Sequence, residues 1–443
     1  MTKDPAKHKL YRKITALGIP LIVGQLGSVA QQFADTIMIG HYGTRELAAA
    51  GFANGVFCLV TYLLLGISYA STPVIGGAFG KHDREGVAQS MLDSIIVNLL
   101  ASLAVTAVLM LMYRNIRIFH QPEEIVPLIL PYFLTLTISV PFMAVANALK
   151  QYSDAVGETK MPMYVIIASN IMNVLLNYVL IFGAGNIGVP AMGLYGAGLA
   201  TLVSRIFMVA AMFTSIRTAK TYRDMIPTRT TRPSAKGMRR IFAIGIPISI
   251  QLGLEASSFN VCAIFMGWIG TMALAAHQIM CTISTLCFQI IYGLAAAGSI
   301  IIAHYHGRGE HYMVRKAARS TFILGIISLV IILTIIYITR YSIILYFTNT
   351  DQVASIIFSI MPCFFIYQLG DCMQITYANA LRGIGQVRNM MFHAFIAYLM
   401  VSLPLSYILG LVLRLGAVGV WAGMPFGLTT AGILFYTEFR RQT

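Results

Sequence analysis

In the stretch GIPISIQLGLEASSFNVCAIFMGW, a carboxylate, Glu255, sits among residues that are almost all apolar or small. A second acid, Asp371, follows Tyr367 by four residues and precedes Gln374 by three, so one helical face would present a phenol, a carboxylate and an amide. Oxygens of this kind suit a hard ion such as Na⁺. A third acid, Asp35, lies in LGSVAQQFADTIMIGHYG. Asn170, Asn173 and Asn177 in SNIMNVLLNYVL share one helical face. An ionisable group inside a membrane helix is costly and by default marks cation or proton binding. The structural alternative is a protonated acid bonded to a neighbouring helix. The asparagines either extend an ion or substrate site or hydrogen-bond between helices, and the sequence leaves both open.

The elements that must carry these residues follow from composition. The chain has 443 residues, 57 % hydrophobic and 11 % charged, with mean hydropathy +0.75, whereas soluble proteins carry about 25 % charged residues. Apolar runs long enough to cross a hydrocarbon core of about 30 Å as helix fall at 14–38, 46–73, 87–112, 125–149, 161–183, 191–216, 240–267, 273–303, 317–339, 352–379, 389–412 and 417–437. The expected fold is an all-α integral membrane protein with twelve spans. The basic MTKDPAKHKLYRK precedes an apolar run without a small-residue cleavage site, so that run reads as the first span and not as a signal peptide.

The net charge of +15 raises the question of nucleic acid, and the placement of the charge answers it. All but six of the 31 lysines and arginines fall at the termini or in even-numbered loops, Arg382 and Arg388 among them. The exceptions are Arg45, Arg114, Arg117, Arg340 and Arg414 in odd loops, and Arg205 inside a span. That bias is the positive-inside pattern. Both termini are therefore expected in the cytoplasm, and the basicity is topological.

A single ungapped shift lays ALGIP (16–20) on AIGIP (243–247), GTRELAA (43–49) on GTMALAA (270–276), Gly66 on Gly293 and Gly80 on Gly307. One further residue of slip lays Gly157 on Gly385. The chain thus reads as two pseudo-symmetric six-helix bundles, 1–216 and 240–443, joined by a basic linker at 217–239. An even number of spans gives both halves the same orientation, and a cleft between such bundles is where transporters keep their substrate site. Against this symmetry the acids stand out. Glu255 falls on Ser28, Asp35 on Cys262 and Asp371 on Met143. Glu255 also lies about 22 Å of helix beyond Arg240, too far to reach the cytoplasm.

Other motifs carry no chemistry. GAGNIG (183–188) matches a dinucleotide fingerprint but sits in a short outer loop with no strand before it. IGGAFGKH lacks the first Gly and the Ser or Thr of a phosphate-binding loop. The six cysteines lie in apolar spans without a CxxC, His304, His306 and His311 stand beside arginines that repel a metal, and no nucleophile has a base at a plausible place. An ion gradient is left as the energy source.

The stretches GIPLIVGQLGSVAQQFADTIMIGHYG, GIPISIQLGLEASSFNVCAIFMGWIG and YQLGDCMQITYANALRGIGQ resemble the multidrug and toxic compound extrusion family, in its NorM-like branch. The resemblance covers nearly the whole chain. It implies export of organic cations, driven by entry of Na⁺ or H⁺, through a V-shaped cleft that faces each side in turn. It also implies that the acids of helices 1, 7 and 10 are Asp35, Glu255 and Asp371, the last two being the cation-site pair, and that Phe288 faces the bound ion. No enzyme activity, no cofactor and no metal beyond a monovalent cation are expected. The expected partners are organic cation drugs and the lipid bilayer of a bacterial inner membrane, with no nucleic acid, and the chain is expected to act as a monomer. One Na⁺ per monovalent drug would be electroneutral, whereas two acids in one lobe leave room for two cations.

Two rival classes are weighed. A lipid-linked oligosaccharide flippase of related fold would line its cavity with arginine and lysine for pyrophosphate, and here only Arg205 reads as intramembrane. A channel would need a continuous polar stripe where the sequence has isolated acids.

Overall fold

The computed structural model describes residues 5–185, 188–222, 224–348 and 350–443. Lys3, Arg223 and the pair Asn186 and Ile187 of the GAGNIG loop lie outside them. Among the described residues, 12 helices are long and apolar enough to cross a membrane. They are α1 (Pro5–Tyr42), α2 (Thr44–Gly80, with a turn at Ala70), α3 (Arg84–Arg114), α4 (Val126–Ala155), α5 (Lys160–Phe182) and α6 (Gly193–Thr218), then α7 (Ala235–Ile269), α8 (Thr271–Gly307), α9 (His311–Phe347), α10 (Asp351–Ile384), α11 (Met390–Val412) and α12 (Gly416–Gln442). Each falls on one of the twelve apolar runs. Ile331, Ile335, Ile338 and Leu345 of α9 are exposed, the pattern of a helix that meets lipid on its outer face, where its own backbone bonds satisfy every peptide group.

The chain forms two compact units, one of residues 23–249 and the other of residues 1–22 with 250–443. The sequence division at 216 and 240 follows the linker; the compact units instead divide inside α1 and α7. The two dividing points, after Ile22 and after Ser249, coincide under the repeat. In the first unit, α7 crosses α2 at Gly66, where a methyl would lie 2.6 Å from Ser249 Cα, and Ser249 Oγ donates to the Leu63 carbonyl at 2.7 Å. In the second unit, α8 crosses α1 at Gly293, where a methyl would lie 3.1 Å from Ile22 Cα. One close helix crossing is therefore built twice, and glycine is what allows it. Pro20 and Pro247 also coincide and stand just before the dividing points; each removes an intrahelical bond and loosens its helix there.

The matched Gly157 and Gly385 take φ of 89° and 72°, a left-handed conformation that a side chain resists. Gly385 closes α10, its N–H donating to the Arg382 carbonyl at 2.9 Å.

The segment 217–239 is tied to the first unit. Ser234 caps α7, accepting from Gly237 N at 3.2 Å, and its own N–H donates to Asp93 Oδ1 of α3 at 2.7 Å. Arg84 pairs with Asp224, and Tyr152 Oη donates to the Met225 carbonyl at 3.0 Å. Asp93, an acid near a helix end, is thereby explained as a fastening for the linker.

In the second unit α11 departs from α geometry over Phe395–Ser402 and Ile408–Val412, which are π-helical. The wider turn changes which side chains face inward, and such segments often accompany functional sites.

Candidate functional site

The second unit gathers its polar side chains around Glu255. Glu255 Oε2 accepts from Gln251 Nε2 at 2.7 Å, one turn earlier on α7, and from Gln374 Nε2 of α10 at 3.2 Å. Asp371, 2 % exposed, is an electrostatic neighbour of Glu255. Its Oδ2 is buried and has no hydrogen-bond partner among the described residues. Tyr367 stands beside Asp371, its hydroxyl near Ser284 of α8, and Ser284 Oγ accepts from Gln368 Nε2 at 3.1 Å. The Tyr367 ring is wedged between Phe259 and Trp421, at centroid distances of 6.1 and 5.8 Å. Tyr398, from the first π-helical stretch of α11, brings its hydroxyl beside Glu255.

The physical content of this arrangement is a pair of carboxyls, Asp371 buried and Glu255 half-buried, with one oxygen of Asp371 unanswered. Two carboxylates in a low-dielectric site repel, and leaving either charge uncompensated costs several kcal/mol. A positive charge beside the pair would offset that cost, and Asp371 Oδ2 is the oxygen left open toward one. Of the residues expected on one face of α10, all three are brought to the pair. Phe288 is half-buried and stacked on Tyr292 at 5.6 Å within α8, and it is not part of this hydrogen-bond network.

The first unit builds a separate cluster. Asn177 Nδ2 donates to Asp35 Oδ1 at 2.6 Å and to Asn173 Oδ1 at 3.1 Å, so two of the three asparagines belong with the acid. Asn170 stands two turns away from Asn177 on α5, packed against Gly27 of α1. Asp35 also has Gln31 as a hydrogen-bond partner and Arg205 of α6 as a charge partner. Arg205 donates to Ser139 Oγ at 2.5 Å, and Tyr132, beside both charges, donates to Asn54 Oδ1 at 3.1 Å.

The structure adds residues that the sequence reading passed over. Gln251 and Gln31 each stand four residues before their acid, a spacing that could have pointed to them. Arg382 needs correction: expected in a loop as one of the topological charges, it lies in the last turn of α10, 5 % exposed, and donates to Gln251 Oε1 at 2.7 Å. Arg205, half-buried, is therefore not the only arginine drawn inward among the described residues. Tyr398 had no sequence signal, because its inward direction depends on the π-helical register.

Comparison with known proteins agrees with the duplication and the fold. The MatE family model matches twice, at residues 20–179 and 247–408, once in each repeat. A Photorhabdus laumondii protein described as a probable multidrug resistance protein NorM is 27 % identical over 438 residues, covering 97 % of this chain and 96 % of that one. A solved mutant of the Vibrio cholerae MATE transporter VcmN superposes with TM-score 0.89 at 18 % identity, covering 98 % of this chain and 97 % of the other. A Pyrococcus furiosus MOP superfamily transporter, whose reversed pocket polarity suggests a different function, superposes with TM-score 0.85 at 19 % identity, over 100 % of this chain and 98 % of that one. Such likeness establishes the fold, while the matched model covers most of both halves. The chain belongs to the MatE family of membrane transporters.

Proposed function

We propose that this protein is a cation-coupled antiporter that exports organic cation drugs from the cytoplasm, with both termini cytoplasmic, in a bacterial inner membrane. The observation that carries the reading is the Glu255–Asp371 pair, with Asp371 buried and one of its carboxylate oxygens unpartnered among the described residues. Na⁺ or H⁺ and a cationic drug would compete for that negative charge. An empty pair disfavours reorientation through the bilayer, because moving an uncompensated charge through a low-dielectric region is costly. A loaded pair, with either cation, does not carry that cost. The protein would thus exchange one cation for another and resist slipping back empty.

The two inward arginines do not favour the flippase reading. Arg382 is engaged by Gln251 and Arg205 by Ser139 and Asp35, so each guanidinium is turned toward the protein's own acids and amides.

The test is accumulation of ethidium by energised everted vesicles, in which export runs inward, against a titration of Na⁺ at fixed pH. Na⁺-dependent loss or gain of the drug supports coupling to Na⁺, and dependence on the pH gradient alone supports H⁺. Transport indifferent to both gradients would defeat the antiport reading.

A further inference from the structure

Arg382 is a full positive charge, nearly without solvent contact, in the unit that holds Glu255 and Asp371. A buried guanidinium is costly unless a counter-charge faces it, and arginine keeps its charge in proteins. One link from it to the acids runs through an amide. Arg382 Nη2 donates to Gln251 Oε1 at 2.7 Å, and Gln251 Nε2 donates to Glu255 Oε2 at 2.7 Å. An amide has one acceptor and one donor end, so Gln251 is oriented by the cation at one end and serves the anion at the other. Arg382 and Glu255 also attract one another directly.

The other titratable groups around the acids are Tyr367 and Cys372 on α10, Tyr398 on α11 and Cys287 on α8. Phenols and thiols are neutral when protonated and add no charge to the count. Two carboxylates and one guanidinium leave a single negative charge.

We propose that Arg382 acts through Gln251 as a built-in counter-charge to Glu255, leaving the acid pair room for one monovalent cation. The sequence alone, with two acids in one lobe, left room for two. This rests on the pair being the coupling-ion site.

The experiment measures ²²Na⁺ bound and protons released per chain in purified full-length protein, together with efflux of a monovalent organic cation from proteoliposomes. The wild type should take up one monovalent cation, and its efflux should be indifferent to membrane potential. Arg382→Gln should take up two, and its efflux should speed up under a potential that pulls cations in through the coupling site. Arg382→Lys keeps the charge and should restore a count of one. Two cations on the wild type, or one on a folded Arg382→Gln, would overturn the counter-charge. Should Arg382→Gln fail to fold, the counts on the wild type and on Arg382→Lys decide the matter. Glu255→Gln and Asp371→Asn separate the two ideas. If both bind Na⁺ as the wild type does, the coupling-ion reading fails; if both lose it while Arg382→Gln still binds one ion, only the counter-charge fails.

Discussion

Replacing Glu255 by Gln keeps the shape of the side chain and an oxygen to accept from Gln374, but it removes the charge. The same holds for Asp371→Asn. Each variant should insert and fold, since a neutral amide is cheaper in a membrane helix than a carboxylate, and each should lose ion-coupled efflux. Thermal unfolding with and without Na⁺ reads the loss separately from transport, because an ion at a hundred times its Kd stabilises by about 2.7 kcal/mol. Both variants should lose that shift, and full efflux by both would sink the assignment. Asp35→Asn should behave differently. Its partners Asn177, Gln31 and Arg205 all belong to the first unit, so turnover should fall while the Na⁺-dependent shift persists. Loss of the shift in Asp35→Asn would mean that the two clusters share one ion site. The residues in these arguments were unequally legible. A carboxylate in an apolar helix announces itself, and a three- and four-residue spacing placed Tyr367 and Gln374 beside Asp371. Arg382 was hidden because a charge tally near helix ends cannot tell a loop arginine from one turned inward by the last helical turn.

At the scale of elements, hydropathy gave all twelve helices, and the repeat marked the glycines at which they cross. What it did not give is why those glycines matter, since that depends on which helix lies opposite. Gly66 and Gly55 are on the same helix, α2, but a methyl at Gly66 would meet the backbone of Ser249, while one at Gly55 meets nothing within 4 Å. Gly66→Ala should therefore destabilise, by about 1–3 kcal/mol as for other overpacked sites. Gly55→Ala should be neutral or stabilising by about 0.5–1 kcal/mol, the gain from removing a mid-helix glycine. Midpoints of thermal unfolding in detergent, compared between the two variants, check the contrast. Equal midpoints would mean that α2 and α7 do not approach as closely as Gly66 allows. The division of the compact units within α1 and α7 was likewise beyond the sequence. The Thr-, Arg- and Pro-rich linker is the obvious break in composition, but packing follows the glycine crossings, and a helix that is continuous in sequence need not bury itself in one place.

For the whole molecule, charge count decides what can drive transport. With Asp35 balanced by Arg205 and the acid pair left with one net negative charge by Arg382, each cycle would admit one monovalent cation and release one drug. A monovalent drug then leaves without net charge movement, so the membrane potential adds nothing and a tenfold ion gradient supplies about 1.4 kcal/mol. A divalent drug is different. Exporting two charges against the entry of one moves one positive charge outward, which an inside-negative potential opposes by about 2.3 kcal/mol per 100 mV. That opposition corresponds to about a fiftyfold lower limiting drug gradient, more than a tenfold ion gradient can overcome. Proteoliposomes clamped with valinomycin and K⁺ should thus export a monovalent organic cation equally well at zero and at 100 mV, inside negative. A dicationic analogue of similar size should be exported at zero potential and held back at 100 mV. Efflux of the dication that is unaffected by the potential would require a second coupling cation in each cycle, and with it a site that Arg382 does not limit.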